Sequence, residues 1–297
     1  QQGVVVAESV AGTRQRRPCA VEHVLQRLAP GHQHLVRALA PVEQALRVAR
    51  ADLAGQQALP RAVGDLEQAG VERQHAGAVA EREWAVLVDR LTVQETSFFR
   101  HSSSFALVKA HVAGLLAKDA SRKTLNIWSV GCSTGEEPYS LAMQTDAQLA
   151  DLHREDVYFG VTASDISLPT LARARAGIYG ERRLHNVPTA WKQKYFQAVP
   201  GRKELQVTNE LKRRIAFVQI NIMELDRAPL GDMDVIFCQN VLIYFRRFRK
   251  RDILANLAAR LAPGGLLVLG VNEAVDWAHP ALVRMDFPDT LAFRRKA

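Results

Sequence analysis

The sequence predicts an α/β protein built on a mostly parallel sheet covered by helices on both faces, and three observations predict it. Near-continuous apolar runs at 125–130, 157–163, 215–220, 235–238 and 266–269 read as strands buried on both sides. Helical stretches at 136–149, 168–176 and 249–261 alternate with them. The first strand runs into Gly131, Cys132, Ser133, Thr134 and Gly135 and then a helix, the junction at which open sheets of this kind hold ligands.

Taken in order, the chain begins with a segment unlike the rest. Residues 1–83 contain no Lys, Ile, Met, Asn, Phe, Tyr or Trp. Prolines at 18, 30, 41 and 60 interrupt short helical patterns at 21–28 and 42–53. Without aromatics this segment can form only a thin core. Two readings stand: a small helical domain of GC-rich composition, or a segment out of its proper reading frame. The chemistry is expected in residues 84–297. There the helix at 249–261 is expected to stop at Pro263, Gly264 and Gly265. A last pair of strands at 282–286 and 290–294 turns at Pro288 and Asp289.

Bulk properties exclude several classes. A hydrophobic fraction of 47% and a charged fraction of 24% are those of a globular protein. No apolar run reaches the ~18 residues of a membrane span, and the start of the chain lacks a charged-then-apolar signal pattern, so a cytoplasmic protein without direct membrane insertion is expected. Cys19, Cys132 and Cys238 have no paired spacing, and the nine histidines, His32 and His34 among them, show no ligand spacing, so no disulfide framework or metal site is expected. The net charge of +8 comes from basic residues that read as spread along the chain, which argues against nucleic acid and leaves an acidic protein surface as partner. The sequence does not set the oligomeric state.

The glycine turn lacks the third glycine of a dinucleotide fingerprint and places Glu136 and Glu137 at the helix start. A pyrophosphate wants helix-end amides without nearby carboxylates. The two glutamates therefore suit a neutral or cationic cofactor, such as one carrying a sulfonium and an amino group, or else compensate the helix dipole. Asp165, ending the second strand, is placed to take ribose hydroxyls or to cap the next helix. Asn221, followed by Ile222, closes the third strand, and Gln239 and Asn240 close the fourth. Their amides are placed to bond a planar heterocycle or an amino-acid moiety. Tyr244 follows as a site residue or a core aromatic.

Five blocks carry a family resemblance: LTVQETSFFR at 91–100, GCSTGEEPYS at 131–140, ASDIS at 163–167, FCQNVLIYF at 237–245 and LAPGG at 261–265. In this order they resemble the CheR family of chemotaxis receptor methyltransferases over roughly residues 84–296. The resemblance implies a class I methyltransferase (Rossmann-like) sheet, a preceding helical segment and a small antiparallel subdomain inserted at about 178–214. It implies S-adenosylmethionine as cofactor and S-adenosylhomocysteine as product, held on residues matching Gln94, Thr96, Arg100, Glu136 or Glu137, Asp165, Asn221, Ile222, Gln239 and Asn240. It sets Arg100 and Tyr244 nearest the transferred methyl group. Gln94 and Gln239 stand where the commoner pattern has Asn and Arg, which looks like the branch serving type IV pilus systems. The family's basic N-terminal helices have no match in residues 1–83.

The implied reaction is methyl transfer to glutamate carboxylates on the cytoplasmic helices of a methyl-accepting chemoreceptor. Such an acceptor is already ionised near neutral pH, so no general base is needed, and the protein mainly positions two reactants and excludes water. Arg100 is expected to hold the carboxylate with its planar fork, and Tyr244 to bond near the reacting centre. The rival readings are a class I methyltransferase with another substrate and a non-catalytic module that binds the cofactor as a regulatory or adaptor site.

Overall fold

The computed structural model describes residues 95–274 and 276–296. The segment 1–83, with its expected helices, and Gln94 lie outside the described residues. In chain order the helices and strands are α1 (Ser102–Lys118), β1 (Thr124–Val130), α2 (Glu136–Asp151), β2 (Tyr158–Asp165), α3 (Leu168–Ala176), β3 (Ile178–Gly180), α4 (Thr189–Tyr195), β4 (Phe196–Ala198), β5 (Glu204–Val207), α5 (Asn209–Lys212), β6 (Ile215–Gln219), β7 (Met233–Cys238), α6 (Arg247–Ala259), β8 (Leu261–Leu269), β9 (Leu282–Met285) and β10 (Leu291–Arg295). No helix among the described residues is long and apolar enough to cross a membrane.

Seven strands form one sheet in the order β6-β2-β1-β7-β8-β10-β9. β1 pairs in parallel with β2 and β7, β2 with β6, and β7 with β8. Only β10 runs antiparallel, to β8 and to β9. The chain builds outward from β1 to β6 and then returns to the other side of β1, so the order reverses between β1 and β7. The crevice beyond their carboxyl ends is the ligand position of such sheets.

Alternation along the strands divides the core into two layers. Ile127, Val235, Phe237, Leu266 and Val268 join the layer that holds Leu107 and Val108 of α1, Leu141 and Met143 of α2, and Leu171 of α3. Trp128, Ile236, Cys238, Leu267 and Leu269 point the other way, onto Ile253, Leu254 and Leu257 of α6. Both faces are therefore apolar, which is why the strands read as unbroken apolar runs rather than alternating ones. Each fully buried aliphatic or phenyl side chain contributes about 1.5–3 kcal/mol.

Two features differ from expectation. Helix α1 was not anticipated, although its buried Phe105, Val108, Val112 and Leu116 recur every three or four positions. The helix α6 ends at Ala259 and β8 already begins at Leu261, so Pro263, Gly264 and Gly265 lie inside a strand instead of terminating a helix. They form a bulge: Met233 pairs with Leu261, but Val235 pairs with Leu266. A Cβ on Gly265 would lie 2.6 Å from the Met233 carbonyl oxygen, so only glycine allows that backbone approach.

Between α3 and β6 the chain forms a second, three-stranded antiparallel sheet, β3-β5-β4. Its Tyr179 and Phe196 are buried in the layer that contains α1 and α2.

Candidate active site

The segment 95–101 crosses the crevice and is held there by its two phenylalanines. Phe98 is fully buried and meets Tyr179 and Phe196 edge-on, with ring centroids 5.0 and 5.8 Å away. Phe99 meets Phe105 and Trp191 at 5.3 and 5.5 Å. Ser140 Oγ accepts the Phe99 N–H at 3.1 Å, and Asn186 Nδ2 donates to the Phe98 carbonyl at 3.2 Å. Phe99 and His101 both adopt left-handed backbone, φ 52° and 80°, which costs about 1–3 kcal/mol each in non-glycine residues. Between them Arg100 is turned into a cleft that Thr96, Glu137, Gln239 and Asn240 also line.

The floor of the cleft is the glycine turn. Gly131 and Gly135 have φ of 71° and 97°, and a Cβ on Gly135 would meet Tyr179 Oη at 2.9 Å and Ala174 Cβ at 3.0 Å. The turn is tied to the next strand: Ser133 N–H donates to Asp165 Oδ2 at 2.8 Å, and Ser167 N–H to Asp165 Oδ1 at 3.0 Å. Ser133 Oγ is buried on the cleft wall and has no hydrogen-bond partner. An orphaned hydroxyl of this kind calls for a ligand atom or water.

The two glutamates at the helix start have separate tasks. Glu136 is fully buried. Its carboxylate accepts Thr134 Oγ1 at 2.7 Å and pairs with Arg183 of the inserted segment, so it closes a structural contact and does not line the cleft. Glu137 does line it. Ser129 Oγ donates to Glu137 Oε1 at 2.7 Å. Burial lifts the Glu137 carboxyl to about 8, only partly offset by that hydroxyl and by Arg100.

At the end of β7, Gln239 is buried and Nε2 donates to Ser104 Oγ at 2.7 Å and to the Leu269 carbonyl at 3.1 Å, which fixes the start of α1 against the sheet. Asn240 has φ 60° and Nδ2 lies 3.2 Å from His101 Nε2. Tyr244 sits on the short 3₁₀ turn Leu242–Tyr244 and is half-buried. Burial raises its phenol, Arg100 lowers it, and Glu273 and Glu95 raise it further, so the hydroxyl and the guanidinium share one electrostatic neighbourhood. Tyr244 itself is outside the cleft lining. Arg100 Nη1 donates to the Glu95 carbonyl at 2.7 Å and Nη2 lies 4.0 Å from Glu95 Oε1.

Asp165, Asn221 and Ile222 stand farther along the same carboxyl edge, toward β6, and are not part of this cleft. Asn221 Oδ1 accepts Met223 N–H at 3.0 Å and Nδ2 donates to Glu224 Oε1 at 2.9 Å, so the amide caps a turn. The cleft thus gathers Thr96, Arg100, Glu137, Gln239 and Asn240 of the expected residues.

Ser133, His101 and Glu273 were not anticipated. The one sequence signal for Ser133 was a polar residue between the two turn glycines; in the structure it adopts φ 47°. Glu273 carries no local signal. It is buried and accepts backbone N–H groups of Leu242, Ile243 and Gly270, residues on two separate segments.

A half-buried carboxylate, an orphaned hydroxyl and side-chain amides fit a ligand that combines a positive charge with several hydroxyl and amino groups. Residues 94–287 match the family described as CheR methyltransferase, SAM binding domain. The chain is 37% identical over 194 residues to chemotaxis protein methyltransferase 1 of Pseudomonas aeruginosa, covering 64% of this chain and 70% of that one. It is 37% identical over 204 residues to a probable chemotaxis protein methyltransferase of Rhizobium etli, covering 67% and 74%. It is 32% identical over 219 residues to a chemotaxis protein methyltransferase of Pseudomonas putida, covering 73% and 77%.

Proposed function

This chain belongs to the CheR methyltransferase family, and from that premise we propose that it transfers a methyl group from S-adenosylmethionine to glutamate side-chain carboxylates of a methyl-accepting chemoreceptor. The observation that carries this reading is the presence of an acid and a guanidinium in one cleft. Glu137 offers a carboxylate to a cationic cofactor, and Arg100 offers a guanidinium to an anionic acceptor. When bound, the cofactor supplies an electrophilic methyl group.

Thr96, Glu137, Gln239 and Asn240 would hold the cofactor, Gln94 would join them by the family resemblance, and the Ser133 hydroxyl would gain a partner. Asp165, Asn221 and Ile222 extend the same site along the strand ends, Asp165 also bracing the glycine turn. Arg100 leaves Glu95 to clamp the acceptor carboxylate through two parallel N–H donors. Tyr244 donates a hydrogen bond beside the reacting carboxylate. Transfer of a methyl group from a sulfonium to a carboxylate would annihilate charge, so the work of the protein would lie in alignment and in keeping water out of a site floored by the glycine turn.

The test is transfer of labelled methyl from S-adenosylmethionine to receptor-containing membranes from the same organism. The expected product is a base-labile ester on glutamate. Label that resists base, or cofactor binding without any transfer to receptors, would overturn the reading.

A further inference from the structure

Although basic residues are spread along the chain, one dense run of them stands beside the candidate site. Residues 246–251 read RRFRKR, directly after the turn that carries Tyr244. Arg246, Arg247 and Arg251 are exposed and Lys250 is half-exposed. None of the four forms an ion pair among the described residues. Arg246 lies two positions from Tyr244, so the two Cα atoms are no more than about 7 Å apart. Ile243 and Phe248, 45% and 55% exposed, set two apolar side chains among these cations.

Helix stability does not account for the placement. Arg246 and Arg247 fall on the N-cap and first turn of α6, where no acidic residue offsets them, and Lys250 and Arg251 follow in the second turn. That end of a helix already carries positive partial charge, so each cation there costs a few tenths of a kcal/mol or more. Four like charges beside one another add mutual repulsion.

We propose that Ile243, Arg246, Arg247, Phe248, Lys250 and Arg251 form a docking surface for an acidic, amphipathic helical segment of the protein substrate, which they hold beside Tyr244. The inference rests on the proposed protein-directed reaction and adds the face through which the substrate is engaged. The cations match a row of carboxylates and the two apolar side chains match the stripe that such a helix carries. A surface of this kind acts mainly on encounter and on KM, and salt weakens it.

The experiment uses the full chain and the purified cytoplasmic helical domain of a chemoreceptor as probe. Binding is followed by fluorescence anisotropy and methyl transfer by label. The variant replaces Arg246, Arg247, Lys250 and Arg251 with Gln, and a second carries only Arg246→Gln and Arg247→Gln, in case the first folds poorly. S-adenosylmethionine affinity serves as the check on folding. The expected result is at least a tenfold rise in KM and in the dissociation constant for the receptor domain, a flatter salt dependence, and unchanged kcat and cofactor affinity.

Unchanged KM and salt dependence in both variants, with transfer intact, would overturn the docking surface and leave the proposed reaction standing. Wild-type binding that the variants lose, without any methyl transfer, would support the surface and overturn the reaction. Tighter binding to a duplex RNA or to anionic phospholipid vesicles than to the receptor domain would overturn the docking proposal.

Discussion

The backbone N–H of Leu242 donates to Glu273 Oε1 at 2.7 Å, so the turn that carries Tyr244 hangs from a carboxylate beyond the end of β8. The other oxygen takes the Gly270 N–H at 2.8 Å. Glu273→Gln keeps the shape but replaces one acceptor oxygen with a donor that faces an N–H. The expected outcome is a loss of about 1–3 kcal/mol of stability and a fall in kcat larger than any change in cofactor affinity, because Tyr244 loses its support. Denaturant unfolding and steady-state kinetics check both. A drop in stability with kcat intact would show that Glu273 only braces the fold.

Glu137 is expected to make cofactor binding pH-dependent. With its carboxyl lifted to about 8 by burial, it is largely protonated in the cofactor-free protein at neutral pH. A cationic ligand favours the carboxylate, so binding releases a proton. Affinity is expected to rise as pH increases toward about 8 and to level off above it. The sign for stability is the reverse: the raised folded value favours the protonated native state, and that contribution is lost as pH climbs from the ordinary glutamate range through about 8. Glu137→Gln is expected to weaken cofactor binding, remove its pH dependence, and make the cofactor-free protein more stable than wild type at pH 9. Calorimetry in buffers of different ionisation heat, with thermal melts, reads all three.

The parts legible in the sequence were those written locally. Strand runs such as that of β7 are apolar without a break because both faces are covered, and the glycines at 131 and 135 mark a turn that needs positive φ. What sequence could not resolve depends on partners far along the chain. Glu136 and Glu137 are adjacent and equivalent by pattern, yet Arg183 of the inserted segment draws the first into a sealed contact and leaves the second for the cleft. Gln239 reads as a ligand amide and lines the cleft, but that its Nε2 also ties Ser104 and the Leu269 carbonyl is not foretold by its place at a strand end. Glu273 has neighbours in space that no spacing rule connects.

Arg100 is expected to matter for the acceptor more than for the fold. Its guanidinium rests on Glu95, whose side chain is 81% exposed, so removing that contact costs little stability. Arg100→Lys keeps the charge but loses the planar pair of donors. A loss of about 1.5–3 kcal/mol in transition-state binding follows, roughly ten- to hundredfold in kcat/KM. Arg100→Ala is expected to lose more. Transfer kinetics on receptor membranes, beside equilibrium cofactor binding, separate the two steps. A loss confined to cofactor affinity would move Arg100 from the acceptor to the cofactor side of the cleft.

Phe98 sits two residues before Arg100, wholly buried against Tyr179 and Phe196, and through them joins the segment over the cleft to the inserted sheet. Phe98→Ala leaves a cavity where a ring met two others edge-on, which costs about 3–5 kcal/mol. The strained backbone at Phe99 and His101 persists only while its surroundings hold it, so the segment is expected to relax once that anchor is gone. Because Arg100 lies between the strained residues, activity is expected to fall beyond what the unfolded fraction explains. Phe98→Leu refills most of the volume and is expected to recover much of the stability and less of the activity. Chemical denaturation with transfer assays at temperatures well below the melting midpoint tests this. Activity that tracks the folded fraction in both variants would mean that the segment keeps its path without the ring.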